Sequence, residues 1–278
     1  MTRRIAFLDV DGTIIDHDGE IPASTVNAIR TARENDHLVF LATGRGPTEV
    51  EERLVEIGFD GAVLGAGAYI WLGTLWSEGG WHAEHLMDPR RVAEMVAAFE
   101  TVGADYVLQG RDDVWATPSG YNRLAAGLDA EGRLSDATRE ALLEHVTITA
   151  DPPQGAVAKA VFSSDDQRTY SAVKELLGDR FSVITGTMPG LGTAGGEVSA
   201  GGVTKGSALV ETVRTLGIDV AHSIAIGDNN NDLEMLRTAG VGIAMGNGTP
   251  EAIAAADEVT SGVDADGIWN AFATHGLV

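Results

Sequence analysis

Three short apolar runs in this chain end in clusters of polar residues that carry chemistry, and that repetition constrains the fold more than any other feature. Residues 5–8 lead into Asp9-Val10-Asp11-Gly12-Thr13, residues 38–42 into Thr43-Gly44-Arg45, and residues 223–226 into Gly227-Asp228-Asn229-Asn230-Asn231-Asp232. Continuous apolar runs of this length suit strands buried on both faces of a parallel sheet. In such sheets the carboxyl ends of the strands share one edge, and sites form there. Four carboxylates, a hydroxyl and the ammonium of Lys205 brought to that edge would make a place for a divalent cation and a phosphate.

The intervening segments support this. Pro22 opens a helical pattern with Val26, Ile29 and Ala32 on one face, and Val50, Leu54 and Ile57 predict a helix over 47–57. Residues 69–72 and 75–77 predict a hairpin around Gly73-Thr74. From about residue 82 to 195 the texture changes. Helices are expected at 89–102, 119–127, 136–146 and 166–178, with more polar strands at 106–109, 113–117, 157–163 and 181–186. Residues 190–196 read as a return segment. Regular alternation then resumes, with helices at 205–216, 232–239, 250–256 and 267–273 and strands at 223–226 and 241–245. The expected fold is α/β: a Rossmann-like parallel-sheet core with helices on both faces and an inserted α/β cap domain. The expected boundaries are 1–81 and 196–278 for the core and 82–195 for the cap.

Composition narrows the partners. The 278 residues carry 19 Lys plus Arg against 41 Asp plus Glu, a formal net charge of −22. Such a surface repels nucleic acid and anionic membranes, so neither is expected as a partner. An anionic substrate would need a local cation. With no Cys, disulfides, thiolate metal sites and a Cys nucleophile are excluded. The uncharged stretch 61–77 contains four glycines and is too short for a membrane span, which needs about 20 apolar residues. A cytoplasmic location is expected.

A carboxylate is a competent nucleophile toward phosphorus, and a second, protonated carboxyl can donate to a leaving alcohol and later accept a proton from water. Asp9 and Asp11 have the types and spacing for these two tasks, and Gly12 permits the turn that follows. Asp228 can complete an oxygen-only site with them, and Asp232, four residues on, can hold it in place. Mg²⁺ prefers such oxygen donors. A competing reading, that these acids only cap the helix beginning near 231, explains one Asp or Asn but not two acids with three consecutive asparagines. Thr43 and Gly44 can cradle phosphate oxygens or form a plain turn. Lys205 opens a helix, where a cation opposes the dipole, so it either points at an anion or is solvated.

Together, D-V-D-G-T at 9–13, A-T-G-R at 42–45, G-V-T-K-G at 202–206, G-D-N-N-N-D-L-E-M-L at 227–236 and Ala244-Met245-Gly246-Asn247 resemble the Cof-type branch of the haloacid dehalogenase-like phosphohydrolases. The resemblance implies that Asp9 is the nucleophile and Asp11 the general acid/base. It implies Mg²⁺ held by Asp9, the Asp11 carbonyl and Asp228, with Asp232 supporting the metal site. Thr43, Gly44, Lys205 and Asn231 would bind the transferring phosphoryl group of a small phosphorylated metabolite, such as a sugar phosphate or phosphorylated cofactor. A phosphomutase and a non-catalytic phosphometabolite sensor are the alternatives on this scaffold. The chain departs from the branch at Ala66-Gly67-Ala68, where Asn-Gly-Ala is usual. In the cap, Arg111, Asp112, Asp113, Trp115 and Tyr121 form a polar-aromatic patch that could meet substrate. His82 and His85, the only close histidine pair, lack a third ligand nearby.

Overall fold

The computed structural model describes residues 3–131, 143–151, 153, 155–185 and 194–278. It divides into two compact units: residues 1–45, 50–84 and 204–278 form the first, and residues 46–49 and 85–203 the second.

In the first unit, β1 (Ile5–Leu8), β2 (Leu38–Ala42), β3 (Gly61–Leu64), β4 (Tyr69–Gly73), β5 (Gly79–Glu84), β6 (Ser223–Gly227), β7 (Val241–Ala244) and β8 (Glu258–Val259) form one sheet in the order β8-β7-β6-β1-β2-β3-β4-β5. The six strands from β8 to β3 are parallel, while β4 and β5 add an antiparallel edge. The expected parallel core is therefore mixed at one side. Burial on both faces explains why β1 and β6 are continuous apolar runs with no polar alternation. One face, with Ile5, Phe7, Phe40 and Ala225, packs under α1 (Lys205–Thr215), α2 (Leu233–Thr238) and α3 (Pro250–Ala255) through Leu209, Val213, Met235, Leu236 and Ala252. The other face is served by α4 (Ala23–Glu34) and α5 (Gly267–Thr274), which touch one another. The inward stripe of α4 is Thr25, Ala28, Ile29 and Ala32, with Val26 only partly buried. Among the described residues no helix is long and apolar enough to cross a membrane.

The second unit has its own sheet, ordered β9-β10-β11-β12-β13-β14, from β9 (Phe181–Thr185), β10 (Gly196–Ala200), β11 (Lys159–Ser163), β12 (Asp105–Gln109), β13 (Val114–Ala116) and β14 (Val146–Ile148). One face packs on α6 (Pro89–Val102) and α7 (Thr169–Leu177) through Met95, Phe99, Phe162 and Val173. The other carries Val107, Val114 and Ala116 against Tyr121 and Leu124 of α8 (Pro118–Glu131).

Three expectations need correction. Residues 196–200, assigned above to the core, are β10 of the second sheet, paired antiparallel with β9 and β11. The division accordingly falls at 84/85 and 203/204, not at 81/82 and 195/196. The helix predicted over 47–57 is a single turn at Pro47–Glu49 and a short helix at Glu52–Val55. Glu51 between them is extended (φ −68°, ψ 145°), and its carboxylate takes Arg45 and Arg53. The return strand of the hairpin is Gly79–Glu84, not 75–77. Gly73 and Trp76 both have positive φ, which bends the chain away before Trp71, Trp76 and Trp81 pack together. The helix expected at 136–146 falls mostly, and the return segment at 190–196 largely, outside the described residues.

Ala66 sits at φ 57° and ψ 31° in the turn after β3. A left-handed conformation costs a Cβ-bearing residue about 1–2 kcal/mol, and Asn tolerates it better than Ala. Ala66→Asn is expected to stabilise the protein by about 1 kcal/mol. Thermal unfolding checks this, and an unchanged or lower melting temperature would contradict it.

Candidate active site

Asp9 follows β1 directly. Its N–H donates to the Ile226 carbonyl at 3.0 Å, so the residue is locked to β6 at the strand end, and it is 4% exposed. Lys205 reaches it from the first position of α1. Thr204 caps that helix in a reciprocal pair with Ser207, which fixes where the helix starts and hence where the lysine points. The Lys205 Nζ donates to Asp9 Oδ1 at 2.6 Å and to Asp232 Oδ1 at 2.6 Å, with the lysine side chain fully buried. The cation at a helix start, unfavourable for the dipole, therefore points at two anions.

Asp232 is a structural hub. Its Oδ2 accepts from the backbone N–H groups of Asp228 and Asn229, each at 3.0 Å, while Oδ1 takes Lys205. It does cap the turn at 230–232, as the competing reading held, and binds Lys205 at the same time. Gly227 makes this possible, since a Cβ there would lie 2.5 Å from the Asp232 carboxyl carbon. Asp228 is turned toward the 9–13 loop, where its Oδ1 accepts from Thr13 Oγ1 at 3.2 Å. Gly12 has φ +88°, and a Cβ on it would sit 2.4 Å from Asp228 Oδ2. Only glycine permits both the conformation and the approach.

Asp9, Asp228 and Asp232 each offer a carboxylate oxygen within 4.8 Å of the others. Burial, followed by the charge of Asp232, pushes the Asp9 carboxyl well above the usual carboxylate range, although Lys205 opposes this. Burial, then Asp232, likewise pushes Asp228 up to about 6. Burial disfavours the charged form of Lys205, but Asp232 and Asp9 outweigh it and raise its pKa. Three buried carboxylates thus face one ammonium, an excess of negative charge on oxygen donors alone. That donor set fits a hard divalent cation such as Mg²⁺.

The remaining predicted residues divide. Thr43 is buried at the end of β2, beside β1, and its Oγ1 accepts from the Arg45 N–H at 3.1 Å. Gly44 lies between them. The turn after β3 holds this loop, with Gly65 N–H donating to the Arg45 carbonyl and Ala66 N–H to that of Thr43. Asn231 has a buried Oδ1 with no hydrogen-bond partner, two residues beyond Asn229 in the same turn. The Asp11 side chain is not in the buried cluster. It is 63% exposed and held by Arg45, whose Nη2 and Nε donate to its two oxygens at 2.7 and 3.1 Å. Arg45 also binds Glu51 at 2.6 Å, so its guanidinium bridges two carboxylates. Thr13 carries no role in the sequence reading beyond its place in the motif.

In the second unit the expected patch splits. Trp115 packs on the cluster beneath α6 and α7, Tyr121 on the opposite face, and Arg111 pairs with Asp112. His82 binds Thr215 Oγ1 at 3.0 Å.

The sequence profile of the haloacid dehalogenase-like hydrolases matches residues 6–272. The chain belongs to that family. It is 26% identical over 279 residues to the putative phosphatase YkrA of Bacillus subtilis, with both chains fully covered. It is 28% identical over 256 residues to an HMP-PP phosphatase of Escherichia coli O157:H7, covering 89% of this chain and 86% of that one. The solved sugar phosphatase BT4131 superposes with a TM-score of 0.77 at 23% identity, over 99% of this chain and 100% of that one, a likeness of fold. The Cof-type resemblance and the α/β fold class are borne out, and this haloacid dehalogenase-like hydrolase is a phosphatase.

The raised Asp228 carboxyl has a consequence for stability. Its protonated form favours the folded metal-free protein, a contribution complete below about pH 4 and lost as the pH rises through about 6. A cation at these acids must displace that proton. Mg²⁺ is therefore expected to raise the melting temperature more near pH 7.5 than near pH 5. Equal shifts at both pH values would count against cation binding here.

Proposed function

We propose that the protein hydrolyses phosphate monoesters of small metabolites through an aspartyl-phosphate on Asp9, with Mg²⁺ as cofactor. The observation that carries this reading is the state of Asp9: a buried carboxylate at a strand end, with one oxygen fixed 2.6 Å from Lys205 and Asp228 close by. YkrA carries the name of putative phosphatase and the second relative that of HMP-PP phosphatase, and the latter supports a small phosphorylated metabolite as substrate. A cytoplasmic location belongs to the same proposal.

Asp9, the Asp11 carbonyl and Asp228 would hold Mg²⁺, with Asp232 in support through Lys205 and the backbone of 228–229. When bound, the ion would neutralise charge on the phosphoryl oxygens and so let two anions approach. Thr43, Gly44, Lys205 and Asn231 would bind the remaining phosphoryl oxygens, Asn231 through its Nδ2, because its Oδ1 is an acceptor like the phosphoryl oxygens themselves. An Asp9 oxygen attacks phosphorus in line, the P–O bond to the ester oxygen breaks, and the departing oxygen takes the proton of Asp11. Water then attacks phosphorus and gives a proton to Asp11. The bond to Asp9 breaks and phosphate leaves. Asp11 must first release Arg45, because the pair seen here points its carboxylate at solvent. Positioning and charge neutralisation supply most of the acceleration in such transfers.

The test is phosphate release from a panel of phosphate esters, with Mg²⁺ and with EDTA. Release is expected only with Mg²⁺, none with Asp9→Asn, and a loss of about 10²–10⁴-fold with Asp11→Asn. Undiminished release by Asp9→Asn, or release from no ester, would contradict the proposal.

A further inference from the structure

Residues 245–249, between β7 and α3, touch both acid-bearing loops. The Met245 N–H donates to the Gly227 carbonyl at 3.0 Å and the Thr249 N–H to the Asp228 carbonyl at 2.8 Å. Asn247 bridges to the other loop: its Nδ2 donates to the Gly12 carbonyl at 2.8 Å, while its Oδ1 accepts from the Val263 N–H at 2.8 Å. One partner can only accept and the other only donate, so the orientation of this amide is unambiguous.

Gly12 is consequently fixed at both ends. Its N–H is taken by the Ile15 carbonyl at 2.8 Å and its carbonyl by Asn247. A Cβ on Gly12 would sit 2.4 Å from Asp228 Oδ2, and the next residue, Thr13, donates to the Asp228 carboxylate. The 245–249 loop therefore grips the Asp228 backbone with one group and, with another, the backbone that Asp228 leans on.

We propose that Asn247 is a positioning residue of the acid site. By holding the Gly12 carbonyl it keeps the 9–13 loop against Asp228, and so sets the spacing at which Asp9 and Asp228 share a divalent cation. This rests on the preceding reading that these acids bind Mg²⁺. Asn247 touches neither cation nor substrate, and its effect runs through Gly12 and Thr13.

Two substitutions separate this role from plain structural support. Asn247→Asp keeps the acceptor for Val263 but sets an oxygen against the Gly12 carbonyl oxygen. Asn247→Ala removes both contacts. The added charge of Asn247→Asp would by itself attract Mg²⁺, so weaker binding cannot be a charge effect. The measurement is the melting temperature of the full chain as a function of Mg²⁺ concentration, followed by kcat and KM on its best ester at saturating Mg²⁺. Both variants are expected to need roughly tenfold more Mg²⁺ for half of the stabilisation. In both, kcat should fall while KM for the ester holds. A wild-type Mg²⁺ midpoint in Asn247→Asp would overturn the inference, even if its melting temperature fell, because the Val263 contact alone would then account for the residue. Failure of both variants to fold would likewise make Asn247 structural only. A wild-type protein that shows no Mg²⁺-dependent shift would sink the underlying metal reading, and this inference with it.

Discussion

Lys205 is fully buried between Asp9 and Asp232, and the rest of the site is arranged around that ammonium. Removing one partner from a buried ion pair leaves a charge with no water and no counter-ion, at a cost of about 3–5 kcal/mol. The three side chains are thus bound to stand together. Their supports follow from this: the Thr204 cap that starts α1, the two backbone N–H groups on Asp232, and glycines at 12 and 227 where a side chain would strike a carboxylate. Charge is nonetheless left unbalanced. One ammonium cannot neutralise three acids, and the upward shifts of Asp9 and Asp228 record the deficit. A phosphate dianion would worsen it and a divalent cation would relieve it.

The same arrangement separates two carboxylates that lie two residues apart in sequence. Asp9 stays in the strand direction and turns inward, where burial and Lys205 hold it in one position. Asp11 comes after the chain has left β geometry and turns outward to Arg45, which Glu51 anchors in turn. Different surroundings would suit the two to the different tasks proposed for them: a fixed nucleophile, and an acid that moves to reach its proton acceptor.

Much of this was legible in the sequence because buried parallel strands are continuous apolar runs, and the residues just past them are brought to one edge by topology alone. Asp9, Thr43 and Asp228 could be placed that way, and the helix expected at 89–102 has those bounds in the structure. Legibility failed where tertiary contacts override local pattern. Val50, Leu54 and Ile57 have helical spacing, yet the carboxylate of Glu51 serves two arginines and the helix breaks there. Gly196–Ala200, with Gly, Glu and Ser among its five residues, has no apolar run to signal a strand and is fixed by its two antiparallel partners. The outward turn of Asp11 and the bridge from Asn247 to Gly12 depend on residues 34 and 235 positions apart, which no periodicity reports.

The central claim is that Asp9 accepts the phosphoryl group. Its most direct test is acid quenching during turnover of the best ester, followed by mass spectrometry of the peptide that contains Asp9. The account predicts one added phosphoryl group on Asp9, present with Mg²⁺ and lost when Asp9 is replaced by Asn. Phosphate release at full rate with no phosphoryl group on that peptide at any quench time, or the group found on another residue, would contradict it.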